Sequence, residues 1–223
     1  MPRISRQVRL WFRPDSSHFQ CATSGVMGTV LMSIACCLLL AACAFPGSVK
    51  PTVKIGLSAP FEGLDRSLGY EALHAVRLAV KQRNDAGGVG ARYWVELVAL
   101  NDFNEPDEAL IQAQKMAIDS DLLGVLGGWS EQTARVASPE YERLGLAFLT
   151  PRAGLDGYQV IQADPAFWDV YLALSGGVPP GVVALWAYEA ANRLLDAVDM
   201  AVRSEGRPSR AGVQTALQAG QGQ

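Results

Sequence analysis

The run Leu122-Leu123-Gly124-Val125-Leu126 carries no polar side chain. A strand with one wet face alternates apolar and polar residues, because successive side chains point to opposite sides. A strand apolar on both sides needs cover on both, as in a parallel sheet between two layers of helices. The surrounding chain supplies those helices. Val53-Lys54-Ile55-Gly56-Leu57 reads as a first strand, and Ser67 to Ala86 shows helical spacing. Leu73, Val76 and Val80 fall on one face of that helix, with Arg77, Lys81 and Arg83 mostly off it. His74 reads as a helix-surface residue.

Asn84-Asp85-Ala86-Gly87-Gly88 ends the helix, since glycine takes a left-handed cap without a Cβ penalty. Tyr93 to Leu100, rich in β-branched and aromatic residues, reads as a second strand. A helix is expected from Glu105 to Ser120, with Pro106 in its first turn and Asp107 and Glu108 near its positive end. Leu122 to Leu126 is the third strand. Gly127-Gly128 then turns the chain into a helix over Ser130 to Leu144, and Leu146 to Leu149 is the fourth strand. The expected fold class is α/β, one parallel β-sheet with helices on both faces. Ile55, Val95, Val125 and Phe148 are its expected core. Ligands of such sheets bind beyond the carboxyl ends of the strands. The loops of interest are therefore Ser58–Gly69, Asn101–Glu105, Gly127–Glu131 and Thr150–Gly157.

Beyond Thr150 the alternation breaks down. A short strand is expected around Tyr158-Gln159-Val160-Ile161, then a helix from Pro165 to Leu174. Pro179-Pro180-Gly181 opens a long helix to Arg203, with Leu185, Tyr188, Leu195, Val198 and Val202 on one face. Ser209 begins a last short helix before a Gly/Gln tail. No internal repeat is present.

The amino-terminal segment has a different character. Gly25 to Ala42 contains no charge, and Arg3, Arg6, Arg9 and Arg13 precede it against a single acid, Asp15. A basic start, an apolar run and small residues before a cut constitute a secretory signal. Leu40-Ala41-Ala42-Cys43 resembles the lipobox of bacterial lipoproteins, which implies lipidation of the Cys43 thiol and a mature chain beginning there. An uncleaved anchor is the alternative, because the apolar run just reaches spanning length. Translation from Met27 or Met32 would shorten the charged leader. Cys21, Cys36, Cys37 and Cys43 are the only cysteines, so a chain cut at Cys43 has no disulfide framework. His18 and His74 are the only histidines, and no CxxC pair occurs, which argues against a metal site or a His-based triad. Of 19 basic and 22 acidic residues, 4 and 1 lie in residues 1–43. The remainder holds 15 and 21, a net charge of −6. Nucleic acid and anionic membrane surfaces are poor partners for such a domain. An expected organisation follows: signal peptide 1–43, tether 44–52, one domain over 53–218 and a flexible tail 219–223.

Several stretches together resemble one family. They are Val53-Lys54-Ile55-Gly56-Leu57-Ser58-Ala59-Pro60, Asn84-Asp85-Ala86-Gly87-Gly88-Val89 and Asp102-Phe103-Asn104-Glu105-Pro106. Val125-Leu126-Gly127-Gly128-Trp129-Ser130 and Ala137-Ser138-Pro139-Glu140-Tyr141-Glu142 follow in the same order. Over residues 53–155 the chain is similar to type I periplasmic binding proteins, specifically the branched-chain amino-acid receptors of ABC importers. Gly181 to Val202 is similar to the family's late helix. Such receptors close two lobes around a ligand, whereas here the first-lobe pattern passes at about Val160 almost directly to the late helices. The resemblance therefore implies a single lobe, because about 180 residues leave no room for a second.

The same resemblance implies an amino acid or similar small polar ligand held at a helix N-terminus. Trp129, Ser130, Glu131, Thr133, Thr150, Arg152 and Ala153 are the implied contacts, with no cofactor and no metal. Glu131 stands where the family usually has a ligand-binding serine, and Gly154 where it has a threonine. A carboxylate at Glu131 repels the ligand's own, with Arg152 nearby as compensation. Helix capping is the other role open to Ser130 and Glu131. Trp129 either stacks on a ligand or covers exposed sheet. The implied partners are an ABC permease and a membrane reached through lipid, outside the cytoplasm. An interaction module docking a partner lobe or permease is the alternative. An enzyme finds no support, since neither GxSxG nor a phosphate loop occurs.

Overall fold

The computed structural model of the chain describes residues 50–151 and 165–220. The leader, Cys43, the expected strand at 158–161 and the last three residues lie outside the described residues. Four strands make one all-parallel sheet in the order β2-β1-β3-β4. They are β1 (Thr52–Ala59), β2 (Trp94–Asn101), β3 (Leu122–Leu126) and β4 (Ala147–Leu149). The helices are α1 (Arg66–Asp85), α2 (Pro106–Ile118), α3 (Glu131–Arg143), α4 (Pro165–Ser175), α5 (Val182–Glu205) and α6 (Arg210–Ala219). All the strand and helix types expected within these ranges are present, with ends displaced by only one or two residues.

Every residue of β3 is buried, as a strand apolar on both sides requires. One side of the sheet meets the larger core, built from Val53, Ile55, Leu57, Leu123 and Leu126 with the inner faces of α1, α5 and α6. The other side meets Ala109, Ala113 and Met116 of α2 and Ala137 and Tyr141 of α3. A register shift against β1 between Lys54 and Ile55 brings Leu122 and Val125 into this second core together.

Helix α5 lies on α1 through alanines: Ala184, Ala187 and Ala191 on one side, Ala72, Ala75 and Ala79 on the other, all buried. Small side chains at a helix contact let the two axes approach closely. This is why Leu185 and Tyr188, expected on the buried face, are only half-buried at its margin, while Leu195, Val198 and Val202 are buried as expected. Glu71 of α1 fixes the pairing, its carboxylate accepting from the Ala184 amide in the first turn of α5 (2.9 Å).

Two further expectations are corrected. Phe148 is half-buried, because β4 is an edge strand and nothing among the described residues pairs beyond it; its ring stacks on Tyr141 with centroids 4.5 Å apart. His74 is half-buried in an aromatic row, its ring 6.4 Å from Tyr70 and 6.1 Å from Tyr171. Its Nδ1 has no partner among the described residues, and burial holds its pKa below the ordinary value.

At the opposite edge, Asn84 closes β2. Its side-chain amide donates to the Val95 carbonyl (2.8 Å) and its oxygen accepts from the Val95 amide (2.9 Å). At the amino end of the sheet, Arg210 donates to the carbonyls of Ala117, Asp119 and Leu122. It thereby satisfies backbone groups left open where α2 ends and β3 begins.

Candidate ligand-facing site at the carboxyl ends of the strands

The strand order reverses at β1. The chain leaves β1 toward α1 on one face and β3 toward α3 on the other, so the carboxyl ends of β1 and β3 flank a topological switch point, where open α/β sheets place ligands. Trp129 fills the floor of that crevice. It is 4% exposed, and its indole N–H donates to the Ser58 carbonyl across the two strand ends (2.8 Å). An indole packed this way offers no open face for stacking on a ligand. Nor does it cover an edge of the sheet, since among the described residues the edges are β2 and β4.

Gly128, at φ +71°, makes the left-handed turn into α3, and a Cβ there would stand 2.9 Å from the Ala134 Cα. Ser130 is the N-cap of α3 in a reciprocal box. Its Oγ accepts from the Thr133 amide (3.3 Å), and Thr133 Oγ1 accepts from the Ser130 amide (3.2 Å). Thr133 is fully buried. Glu131 turns along the helix surface to Arg135 (2.5 Å), with four-fifths of its side chain exposed. Capping thus accounts for Ser130 and Thr133. The backbone amides of Glu131 and Gln132, both at exposed residues, have no partner among the described residues. Such amides at a helix start favour an anion.

Thr150 stands beside Gly128, where a Cβ would meet its Cγ2 at 3.0 Å. It also lines a cleft of about 480 Å³ that runs along β4 between α3 on one wall and α5 and α6 on the other. Glu142, Glu189 and Arg193 face this cleft. Arg152 and Ala153 lie outside the described residues.

A buried network that the sequence did not single out ties the rim together. Ser58 Oγ donates to Asp102 Oδ2 (2.7 Å), and Asp102 Oδ1 accepts from the Asn104 amide (2.9 Å). Asn101 Oδ1 accepts from the amides of Phe61 (2.9 Å) and Phe103 (3.1 Å). Phe103 and Asn104 both sit at positive φ, 52° and 60°. A non-glycine residue held there costs about 1–3 kcal/mol, so the surrounding bonds must hold the turn in place. The only available signal was the Asp102–Pro106 stretch, which carried the family likeness without a role for its aspartate.

Asp102 is 1% exposed, and burial raises its pKa despite the opposing hydrogen bond from Ser58. A carboxyl whose pKa is raised on folding contributes stability at low pH that is lost as pH rises from the ordinary value of 3.8 through the folded value. Asp102→Asn has no such loss. The variant's melting midpoint relative to wild type is therefore expected to climb as pH goes from 3 to 7, each pH being compared by calorimetry. A difference that is flat with pH would show that Asp102 does not titrate in this way.

With this geometry in place, the family model for periplasmic binding proteins matches residues 52–163, half of the chain. The chain belongs to the periplasmic binding protein family. That family is one of solute-binding, non-enzymatic, extracytoplasmic proteins. The chain is 25% identical over 146 residues to the Leu/Ile/Val-binding protein homolog 1 of Brucella abortus (strain 2308), a match covering 66% of this chain and 38% of that protein. It is 27% identical over 99 residues to the amino acid binding protein of Pseudomonas aeruginosa, covering 44% of this chain and 26% of that one. The chain thus spans 38% of the length of the Brucella relatives it matches. Among solved structures, the isoleucine complex of the branched-chain amino acid transporter substrate binding protein LivJ from Streptococcus pneumoniae superposes with a TM-score of 0.62. That match has 12% identity and covers 74% of this chain and 87% of that one. A Rhodospirillum rubrum protein described as a branched-chain amino acid ABC transporter gives 0.63 at 15% identity, covering 74% and 88%. At these identities the likeness is one of fold.

Proposed function

We propose that this periplasmic binding protein is the solute-binding component of a branched-chain amino-acid type ABC importer. In this reading residues 53–218 form one lobe, a shortened form of the receptor, held to the membrane by lipid on Cys43 through the tether 44–52 and ending in the tail 219–223. The supporting observation is the start of α3. Its Glu131 and Gln132 amides, at exposed residues and without a partner among the described residues, stand beside the β1/β3 switch point, where an amino acid's carboxylate fits. In this reading Ser130, Glu131, Thr150, Arg152 and Ala153 are the ligand contacts, with Trp129 as the floor and Thr133 beneath them holding the cap. A thermal-shift screen with amino acids tests the assignment. Stabilisation by leucine, isoleucine or valine is expected, and no response to any amino acid contradicts it.

A second reading, an interaction module docking a partner lobe or the permease, is favoured by the cleft along β4 with its charged walls, β4 being an edge strand among the described residues. Self-association or a co-purified protein, together with silence in the amino-acid screen, would select it.

The lipid anchor has its own test. In Cys43→Ala cells, the protein is expected to move from the membrane fraction to the soluble extracytoplasmic fraction, or to persist as uncut precursor. Unchanged membrane attachment with normal processing would contradict lipidation at Cys43.

A further inference from the structure

We propose that Asp102 is the positioning residue of the ligand-facing rim and sets the starts of α1, α2 and α3 relative to one another. The value of that rim for binding rests on the function proposed above, but the positioning does not. Three hydrogen bonds from two segments, the end of β1 and the turn before α2, converge on this one residue. Ser58 from the end of β1 donates to Oδ2 (2.7 Å), the Asn104 amide donates to Oδ1 (2.9 Å), and the Glu105 amide donates to its backbone carbonyl (2.8 Å), one residue ahead of α2. Asn104, held in its left-handed conformation, then reaches in two directions. Its Nδ2 donates to Asp65 (2.8 Å), the N-cap of α1. Its Oδ1 stands 3.5 Å from Thr133 Oγ1, the hydroxyl that completes the cap of α3.

The chemistry explains why a carboxylate is used. Ser58 and the Asn104 amide both arrive as donors, so Asp102 must accept on both oxygens. Asparagine has the same shape and can keep both contacts only if its Nδ2 faces Ser58 and the hydroxyl turns round to accept, whereas alanine keeps neither. Asp102 makes no ion pair among the described residues. A buried carboxylate without a cation is costly to desolvate, so ion pairing does not account for it. Its geometric effect on the three loops does.

Residue-resolved hydrogen exchange on the full chain tests the proposal with wild type, Asp102→Ala and Ser58→Ala. In Asp102→Ala the protein is expected to stay folded, with exchange at Val125 in β3 unchanged. The amides of Leu68 in the first turn of α1 and Thr133 in α3, neither bonded to Asp102, should exchange about tenfold faster or more. Ser58→Ala, which removes the contact to β1 alone, should accelerate Leu68 and Thr133 in the same direction, and it carries the test if Asp102→Ala fails to fold. Acceleration limited to Asn104, or an equal acceleration at Val125, would overturn the proposal, since Asp102 would then act on its own turn alone or on global stability alone. Should amino acids fail to bind wild type while this exchange pattern holds, the solute-binding role fails and the positioning stands.

Discussion

Val125→Asp is expected to leave no cooperatively folded protein. Val125 is fully buried in the central strand β3, between Gly56 of β1 and Phe148 of β4. It belongs to the smaller core with Met116 and Tyr141. The fit is tight, because a Cβ on Gly56 would stand 2.9 Å from a Val125 methyl. The residues of this core among those described are all apolar, so an aspartate there is either ionised and unpaired or neutralised at a cost. Either costs several kcal/mol, against a total stability of about 5–15 kcal/mol for a domain. Urea titration followed by circular dichroism should show no transition for Val125→Asp. Val125→Ala should keep one, with a loss of about 2 kcal/mol. A cooperative transition in Val125→Asp near the wild-type midpoint would show that β3 is not central.

Gly69→Val should be nearly as damaging, by a different route. Gly69 lies in the first turn of α1, where a Cβ would stand 1.8 Å from the Pro60 carbonyl oxygen and 2.5 Å from its carbon. The obstacle is backbone and has no rotamer to yield. The helix start must unwind, or the loop from Pro60 to Asp65 must move off the rim and break the Phe61–Asn101 bond. Overpacking of this kind costs about 3 kcal/mol or more. A glycine within a helix costs up to about 1 kcal/mol relative to alanine, and this close approach is what justifies it at Gly69. The expected readout is a lowered urea midpoint in Gly69→Val with the slope unchanged. An unchanged midpoint would mean that α1 is not seated on Pro60.

The fold was legible in the sequence because its strongest signals are local. The apolar run at Leu122–Leu126 demanded cover on two faces, and Gly127-Gly128 and Ser130 marked the start of α3 to within one residue. The alanine contact between α1 and α5 was less visible, since alanine weighs little in a hydrophobic pattern and its effect is to let helices approach. Phe148 and His74 were misplaced because sequence spacing gives a residue's face but not whether its strand is an edge or which neighbours surround it.

The site was only partly legible. Ser130 and Thr133 are three residues apart, so their capping box follows from local spacing. The Ser58–Asp102 bond joins residues 44 positions apart, and only the parallel pairing of β1 with β2 brings their ends together. Trp129 could be placed in the β3–α3 loop, but its burial depends on the crevice between two strands that are distant in sequence.

The most direct test of the account is a titration of wild type and Glu131→Ser with leucine, isoleucine and valine, followed by amide chemical shifts and by calorimetry. A half-site open to water is expected to bind in the millimolar range, an association free energy of about −4 kcal/mol. The shifts should concentrate at Ser130, Glu131, Gln132 and Thr150. Glu131→Ser removes a carboxylate that repels the ligand's own and should bind more tightly, yet still far more weakly than a ligand enclosed on all sides. Submicromolar binding by wild type would contradict the open half-site, and no binding by either protein would contradict an amino-acid site at the start of α3.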